Sequence, residues 1–295
     1  MTAPVLSDAL GPRARRRVLI ASAVTGLALL ALLVVAIRRL DANGQLDEEK
    51  WKPLTQWAVL KFYLGGLGNT LRAAFTAMAF AISIAGILAL GRLARTAAVR
   101  WVSTLYVEFF RGLPLYILIL FSWLGLPTLG LKLETFWYLV IGLSVYNSAV
   151  LAEIFRAGIL SLDKGQSEAA YSIGLGYWQA MRAVIVPQAV RRMVPAIVSQ
   201  LVTLLKDTSL GVLIFYEELL RRARISAEFY QNPVHSVALV ALIYIAVNAT
   251  LSQVATRLEA RQRRRYGAGE ITVGGVEDLA LTSAKAQAAD ATAGG

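Results

Sequence analysis

The sequence predicts an all-α membrane protein with six transmembrane helices, and three observations carry that prediction. Of 295 residues, 57% are hydrophobic and only 17% charged, with a mean hydropathy of +0.57; soluble domains average about 45–50% apolar and about 25% charged residues. Uncharged stretches of about 18 residues or more, enough to cross a bilayer as helix, recur along the chain. The net charge is +11, and a chain both apolar and basic places its cations in loops at a membrane surface rather than on nucleic acid. Composition also excludes much. There is no cysteine and one histidine, His235, so disulfide scaffolds, thiol or Ser/His/Asp catalysis and a His/Cys zinc cluster are all out of reach. No catalytic residue, metal site or resident cofactor is expected.

The first apolar stretch, 18–37, follows Arg13, Arg15, Arg16 and Arg17 and ends at Arg38 and Arg39. It is longer than the core of a signal peptide and has no small-residue cleavage pattern, so residues 1–40 are expected to hold a retained, peripheral helix. An extracytoplasmic segment, 41–62, follows. Further spans are expected at 73–91, 112–131, 135–152 and 234–256, with another at 193–216 that is interrupted by Lys206 and Asp207. An even number of crossings puts both termini on one side. Placing them in the cytoplasm gathers Arg92, Arg95, Arg100, Arg156, Lys164, Arg182, Arg191 and Arg192 inside, the orientation the positive-inside rule selects. Residues 261–295, rich in Ala, Gly, Thr and Asp, read as a disordered cytoplasmic tail.

The longest inner loop, 160–192, is not linker-like. Ser167 is placed to N-cap a short helix beginning Glu168, Ala169, Ala170, and Gly174 to close it. A second helical piece, 177–186, is expected to stop at Pro187. Two short helices along the membrane surface, with Tyr171, Tyr177 and Trp178 between them, suit a docking surface.

Glu168, Ala169, Ala170, then Gly174, then Pro187 resemble the EAA loop of membrane subunits of ATP-binding-cassette (ABC) importers, with Val184 and Val186 where that family usually has Ile and Leu. The resemblance spreads over about 63–260: Asn69, Thr70 and Leu71; Glu108 to Pro114; Ala152 to Gly158; and Lys206 to Leu210 look like the polar amino acid branch (histidine, glutamate, glutamine, arginine). The N-terminal helix, the segment around Trp51 to Pro53 and the small-residue tail are similar to the second permease of actinobacterial glutamate uptake systems. The resemblance implies a five-helix type I ABC importer core at 63–260, a cytoplasmic coupling helix that seats in an ATPase subunit, and a bacterial cell-membrane location. It also implies partners: two ABC ATPases that bind the ATP, a sibling permease in a heterodimer rather than a homodimer, and an extracytoplasmic amino acid binding protein.

Ionisable groups inside a span cost on the order of 2.5–3.5 kcal/mol on insertion scales, so Lys206 and Asp207 require a role. Gln200, Thr203 and Asp207 mark one helical stripe and Ser199 and Lys206 the stripe beside it. Two readings stand. Lys206 and Asp207 receive the carboxylate and ammonium of a passing amino acid, or they anchor the helix against Arg72 or Asn147. Arg72 shares a face with Thr76 and Ser83, Asn147 is a further path candidate, Glu153 and Arg156 suit a structural ion pair, and His235 is taken as incidental.

The chain has no G-x-x-x-x-G-K-[ST] loop, so it does not cradle nucleotide phosphates and is not itself the ATPase. Gly65, Gly66 and Gly68 read as an interfacial hinge. The leading reading is a non-enzymatic permease subunit for a polar amino acid, glutamate by preference. The alternatives are an ATPase-independent secondary transporter or channel for a polar solute, and a membrane enzyme using Glu153 or Asp207.

Overall fold

A computed structural model describes residues 11–258 and 260, and among these every regular element is helical. α1 (Pro12–Ala42), α2 (Glu48–Trp51), α3 (Trp57–Arg92), α4 (Ala97–Gly112) and α5 (Leu115–Thr128) are followed by α6 (Thr135–Leu160), α7 (Lys164–Ser172), α8 (Tyr177–Ala180), α9 (Val186–Asp207) and α10 (Leu219–Tyr230). α11 (Pro233–Leu258) comes last. Five helices are long and apolar enough to cross a membrane: α1, α3, α6, the Tyr177–Ile214 helix that joins α8 to α9, and α11. The bent α4–α5 pair, counted as one span, makes six. The tail expected at 261–295 lies outside the described residues.

The third crossing is not the straight helix expected at 112–131. α4 and α5 meet at 100°, because Pro114 has no N–H for the helical ladder and holds Leu113 out of the α region, at φ −88° and ψ 138°. The 14 residues of α5 reach only about 21 Å. α4, the other half of the bent pair, carries Glu108 and Arg111, which kept it out of any uncharged stretch.

α6 is the axis on which α3, α5, α9 and α4 pack. Ala73, Ala77, Ala81 and Ala85 on α3 are wholly buried at four-residue spacing, and Ser144 of α6 donates to the Ala77 carbonyl at 3.2 Å. With only methyl groups between them the two backbones close up, and dispersion holds them where lipid supplies no hydrophobic drive. α5 approaches α6 at Gly142, where a Cβ would stand 2.9 Å from the Ile119 Cα. Ser122 of α5 donates across the same seam to the Tyr138 carbonyl at 2.6 Å.

Gly65, Gly66 and Gly68 are not a hinge but lie inside α3. A Cβ on Gly66 would meet the Leu219 Cα at 3.1 Å, so the bare backbone makes a seat for α10. Asn69 and Thr70, which precede the uncharged stretch expected at 73–91, sit well inside the same helix. There Asn69 donates to the Glu217 carbonyl at 2.8 Å, Tyr216 donates to the Asn69 carbonyl at 3.1 Å and Arg222 donates to the Phe62 carbonyl at 2.8 Å.

His235 is not incidental either. It is fully buried, its Nε2–H donates to the Gln45 carbonyl at 2.5 Å, and its ring meets Trp51 edge to face at 4.5 Å. Asn232 donates to the Lys50 carbonyl at 3.0 Å, so the head of α11 holds the segment that follows α1. α1 itself has no buried residue, as a peripheral helix facing lipid would.

Candidate functional site

α7 is the expected short helix, but it starts earlier. Asp163 caps it, accepting from the Gly165 N–H at 2.8 Å, while Ser167 lies inside and donates to the Lys164 carbonyl at 2.7 Å. The carboxylate gains the helix dipole as well as the cap hydrogen bond, which a serine hydroxyl does not. Ala170 is buried, and Glu168 and Ala169 are exposed. α7 therefore rests on Ala170 and presents Glu168 and Ala169 outward. Gly174 closes the helix as expected, at φ +85°: its N–H donates to the Tyr171 carbonyl at 3.0 Å and that of Leu175 to the Ala170 carbonyl at 3.2 Å, the two bonds of a Schellman cap.

Pro187 does not end a second surface helix. The helix entered at Tyr177 runs on to Ile214, so the piece expected at 177–186 is the start of a span and only α7 lies apart. One π turn, Met181–Ile185, precedes Pro187, which then falls in the first turn of α9. A missing N–H is tolerated there. Of the expected coupling residues, Glu168, Ala169, Ala170 and Gly174 belong to α7 and its cap, and Pro187 to the spanning helix behind them. Gln188 donates to Gln166 at 3.0 Å and Arg192 to the Ser161 carbonyl at 2.9 Å. Leu162, Met181, Ile185, Ala189 and Met193 form a buried cluster under the loop.

The expected path residues divide into two groups. Gln200 donates to the Asn147 side-chain oxygen at 2.8 Å, and Asn147, wholly buried, donates to the Leu143 carbonyl at 2.8 Å. This pair locks α9 to α6. Thr203, Lys206 and Arg72 are exposed and Asp207 half-buried. Arg72 stacks 4.6 Å over the Phe136 ring. Thr76 and Ser83, on the same side of α3, line a shallow cavity of about 460 Å³ with Phe75, Ala79 and Phe80. Among the described residues, Lys206 and Asp207 enter none of the salt bridges. Asn147 reaches α9 through Gln200, and Arg72 stacks on Phe136; among the described residues no hydrogen bond or salt bridge joins either to Lys206 or Asp207.

Two polar centres escaped the sequence. At the end bearing α7, Arg92 pairs with Glu153 and lies 3.5 Å from Glu108. Arg156 completes the expected pair with Glu153 at 2.6 Å. The Arg92 contact spans 61 positions, a separation no local spacing reveals. At the opposite end Glu218, fully buried, caps α10 by accepting from the Leu220 and Arg221 N–H groups at 2.8 and 2.6 Å, and Tyr244 of α11 donates to it at 2.9 Å. Burial pushes the Glu218 carboxyl up to about 7, while those donors pull it down. Burial likewise pushes the neighbouring Tyr216 hydroxyl up to about 12, against the pull of Arg72.

Residues 81–264 match the family of binding-protein-dependent transport system inner membrane components. The chain is 38% identical over 228 residues to the glutamate transport system permease protein GluD of Corynebacterium glutamicum, covering 76% of this chain and 84% of that one. It is 43% identical over 208 residues to the probable glutamine ABC transporter permease protein GlnP of Bacillus subtilis, covering 69% of this chain and 94% of that one. A crystal structure of an amino acid ABC transporter with histidines superposes with a TM-score of 0.66 at 31% identity, over 70% of this chain and 97% of that one. The chain belongs to the binding-protein-dependent transport system inner membrane components, as a membrane permease of the polar amino acid ABC importers.

Proposed function

We propose that this chain is one of two permease subunits lining the path of an ATP-driven importer for glutamate, handed over by an extracytoplasmic binding protein. The observation that carries the reading is the mounting of α7: Ala170 is packed inward, and Glu168 and Ala169 face away from the bundle at a rigid end. Two ABC ATPases seat on this helix and its counterpart in a sibling permease. Their closure on ATP moves α7 as a lever and turns the cavity outward, and hydrolysis returns it inward, so ATP sets the direction by biasing a two-state equilibrium. Both termini and α7 lie in the cytoplasm, the orientation the flanking arginines favour. The open flank of Arg72, Thr76, Thr203, Lys206 and Asp207 faces the sibling across the path, where one cation and one anion match an amino acid zwitterion. The likeness to a glutamate permease supports the substrate.

The test is uptake of labelled glutamate in a deletion strain complemented with wild type or Glu168→Arg, with aspartate, glutamine, arginine and histidine as competitors. Wild type is expected to restore uptake and the inserted variant to fail, with acidic amino acids competing best. Uptake that persists in the variant favours an ATPase-independent carrier instead. Competition by arginine or glutamine alone would keep the mechanism and change the substrate.

A further inference from the structure

One aromatic side chain of the α7–α8 region, that of Tyr177, reaches the turn between α3 and α4. Tyr177, the first residue of α8, donates its hydroxyl to the Leu93 carbonyl at 3.4 Å. Leu93 is the C-cap of α3, so this oxygen is among those the helix leaves without an internal partner. Arg95 lies over the same ring, 5.0 Å from its centroid, within cation–π range. The ring also packs on the buried cluster under the loop, together with Leu90 of α3 and Phe155 and Ile159 of α6. One residue before Leu93, the Arg92 side chain, 11% exposed, reaches Glu108 of α4 and Glu153 of α6. The end of α3 is therefore fastened on three sides, to α4, α6 and α8.

On the permease reading above, α7 moves with the ATPase while the gate lies in the span. α3 carries the Arg72, Thr76 and Ser83 flank, yet α7 makes no hydrogen bond to it among those recorded for the described residues. We propose that Tyr177 is a positioning residue: its ring, held between Arg95 and the buried cluster, and its hydroxyl on Leu93 carry the movement of the coupling loop to α3 and so to the substrate path. The clasp suits this use because it joins rigid parts at each side. Behind Tyr177 the helix is continuous to Ile214, and beyond Leu93 the Arg92–Glu153 pair fixes α3 to the axial helix.

The experiment reconstitutes the purified importer containing this chain, its sibling, the ATPases and the binding protein into vesicles. It measures ATP hydrolysis and labelled glutamate uptake for wild type, Tyr177→Ala, Tyr177→Phe, Arg95→Ala and Arg95→Lys. Complexes of Tyr177→Ala and Arg95→Ala are expected to retain the ATPase and its hydrolysis but move about five-fold less substrate per ATP or worse, the lower end of ordinary allosteric coupling. Arg95→Lys, which keeps the cation, should recover most of the ratio, and Tyr177→Phe, which keeps the ring but loses the hydroxyl bond to Leu93, should recover only part of it. A general packing defect would instead lower assembly, hydrolysis and uptake together. Arg95 is exposed, so Arg95→Ala decides the matter if Tyr177→Ala fails to assemble. An unchanged ratio of uptake to hydrolysis in assembled Arg95→Ala overturns the clasp and leaves the permease reading intact. A wild-type preparation that transports with no ATPase bound overturns both.

Discussion

Replacing Gly142 by alanine tests the close approach at the centre of the bundle. The added Cβ would stand 2.9 Å from both the Cα and the Cγ1 of Ile119 and 3.1 Å from its backbone nitrogen. Carbon atoms pack best at about 3.5–4.0 Å, so α5 would have to retreat by about 0.6 Å or more. A backbone cannot swing aside as a flexible side chain does. The same seam holds the Ser122 bond to the Tyr138 carbonyl at 2.6 Å and the buried Leu118 and Ile119, so the retreat loosens several contacts at once. Overpacking of this kind costs about 1–3 kcal/mol. Gly86 provides the control, since a Cβ there meets nothing within 4 Å; alanine should instead gain about 0.5–1 kcal/mol from reduced backbone entropy. The assay is unfolding of each purified variant by sodium dodecyl sulfate in mixed micelles, followed by tryptophan fluorescence. The midpoints should move in opposite directions. Equal shifts, or a Gly142→Ala protein as stable as wild type, would refute the close packing of α5 on α6.

The Asn147–Gln200 bond should appear as coupling in a double-substitution cycle with Asn147→Leu and Gln200→Leu, at about 0.6–1.7 kcal/mol in the same unfolding assay; additive effects would show that the pair does not fasten α9 to α6. Glu218 sets a pH dependence. Its carboxyl rises from 4.5 to about 7 in the folded chain, so the folded state binds the proton more tightly, and stability should increase as the pH falls from about 7 toward about 4.5, by at most about 3 kcal/mol. Glu218→Gln should flatten that rise, and a variant whose melting temperature follows pH as wild type does would contradict the assignment. In the cell, Glu168→Arg should abolish uptake without preventing insertion, and Tyr177→Ala should separate hydrolysis from uptake.

Most of the helices were legible because each lies in local pattern. Stretches such as 18–37 and 135–152 are apolar for a full bilayer crossing, and no neighbour is needed to see that they span. The α7 motif was legible for a similar reason: Glu168, Ala169, Ala170 and Gly174 are near in sequence, and a left-handed cap that favours glycine acts within one turn. The Glu153–Arg156 pair follows directly from helical spacing. Where a local rule competed with another local rule, the reading slipped. Asp163 displaced Ser167 as the cap, and a π turn carried the helix through Pro187.

What only the tertiary structure decided are the contacts between residues far apart in the chain. His235 looked incidental until it met Gln45 and Trp51, and three glycines looked like a hinge until α10 was laid on two of them, Gly65 and Gly66. Arg92 found Glu153, Tyr177 found Leu93, and Asn147 found Gln200 rather than Lys206. Apolar periodicity determines that a helix spans and which residue types it carries. The azimuth at which it meets its neighbours depends on small-residue seams and buried polar pairs, whose partners are set by the packing of the whole bundle.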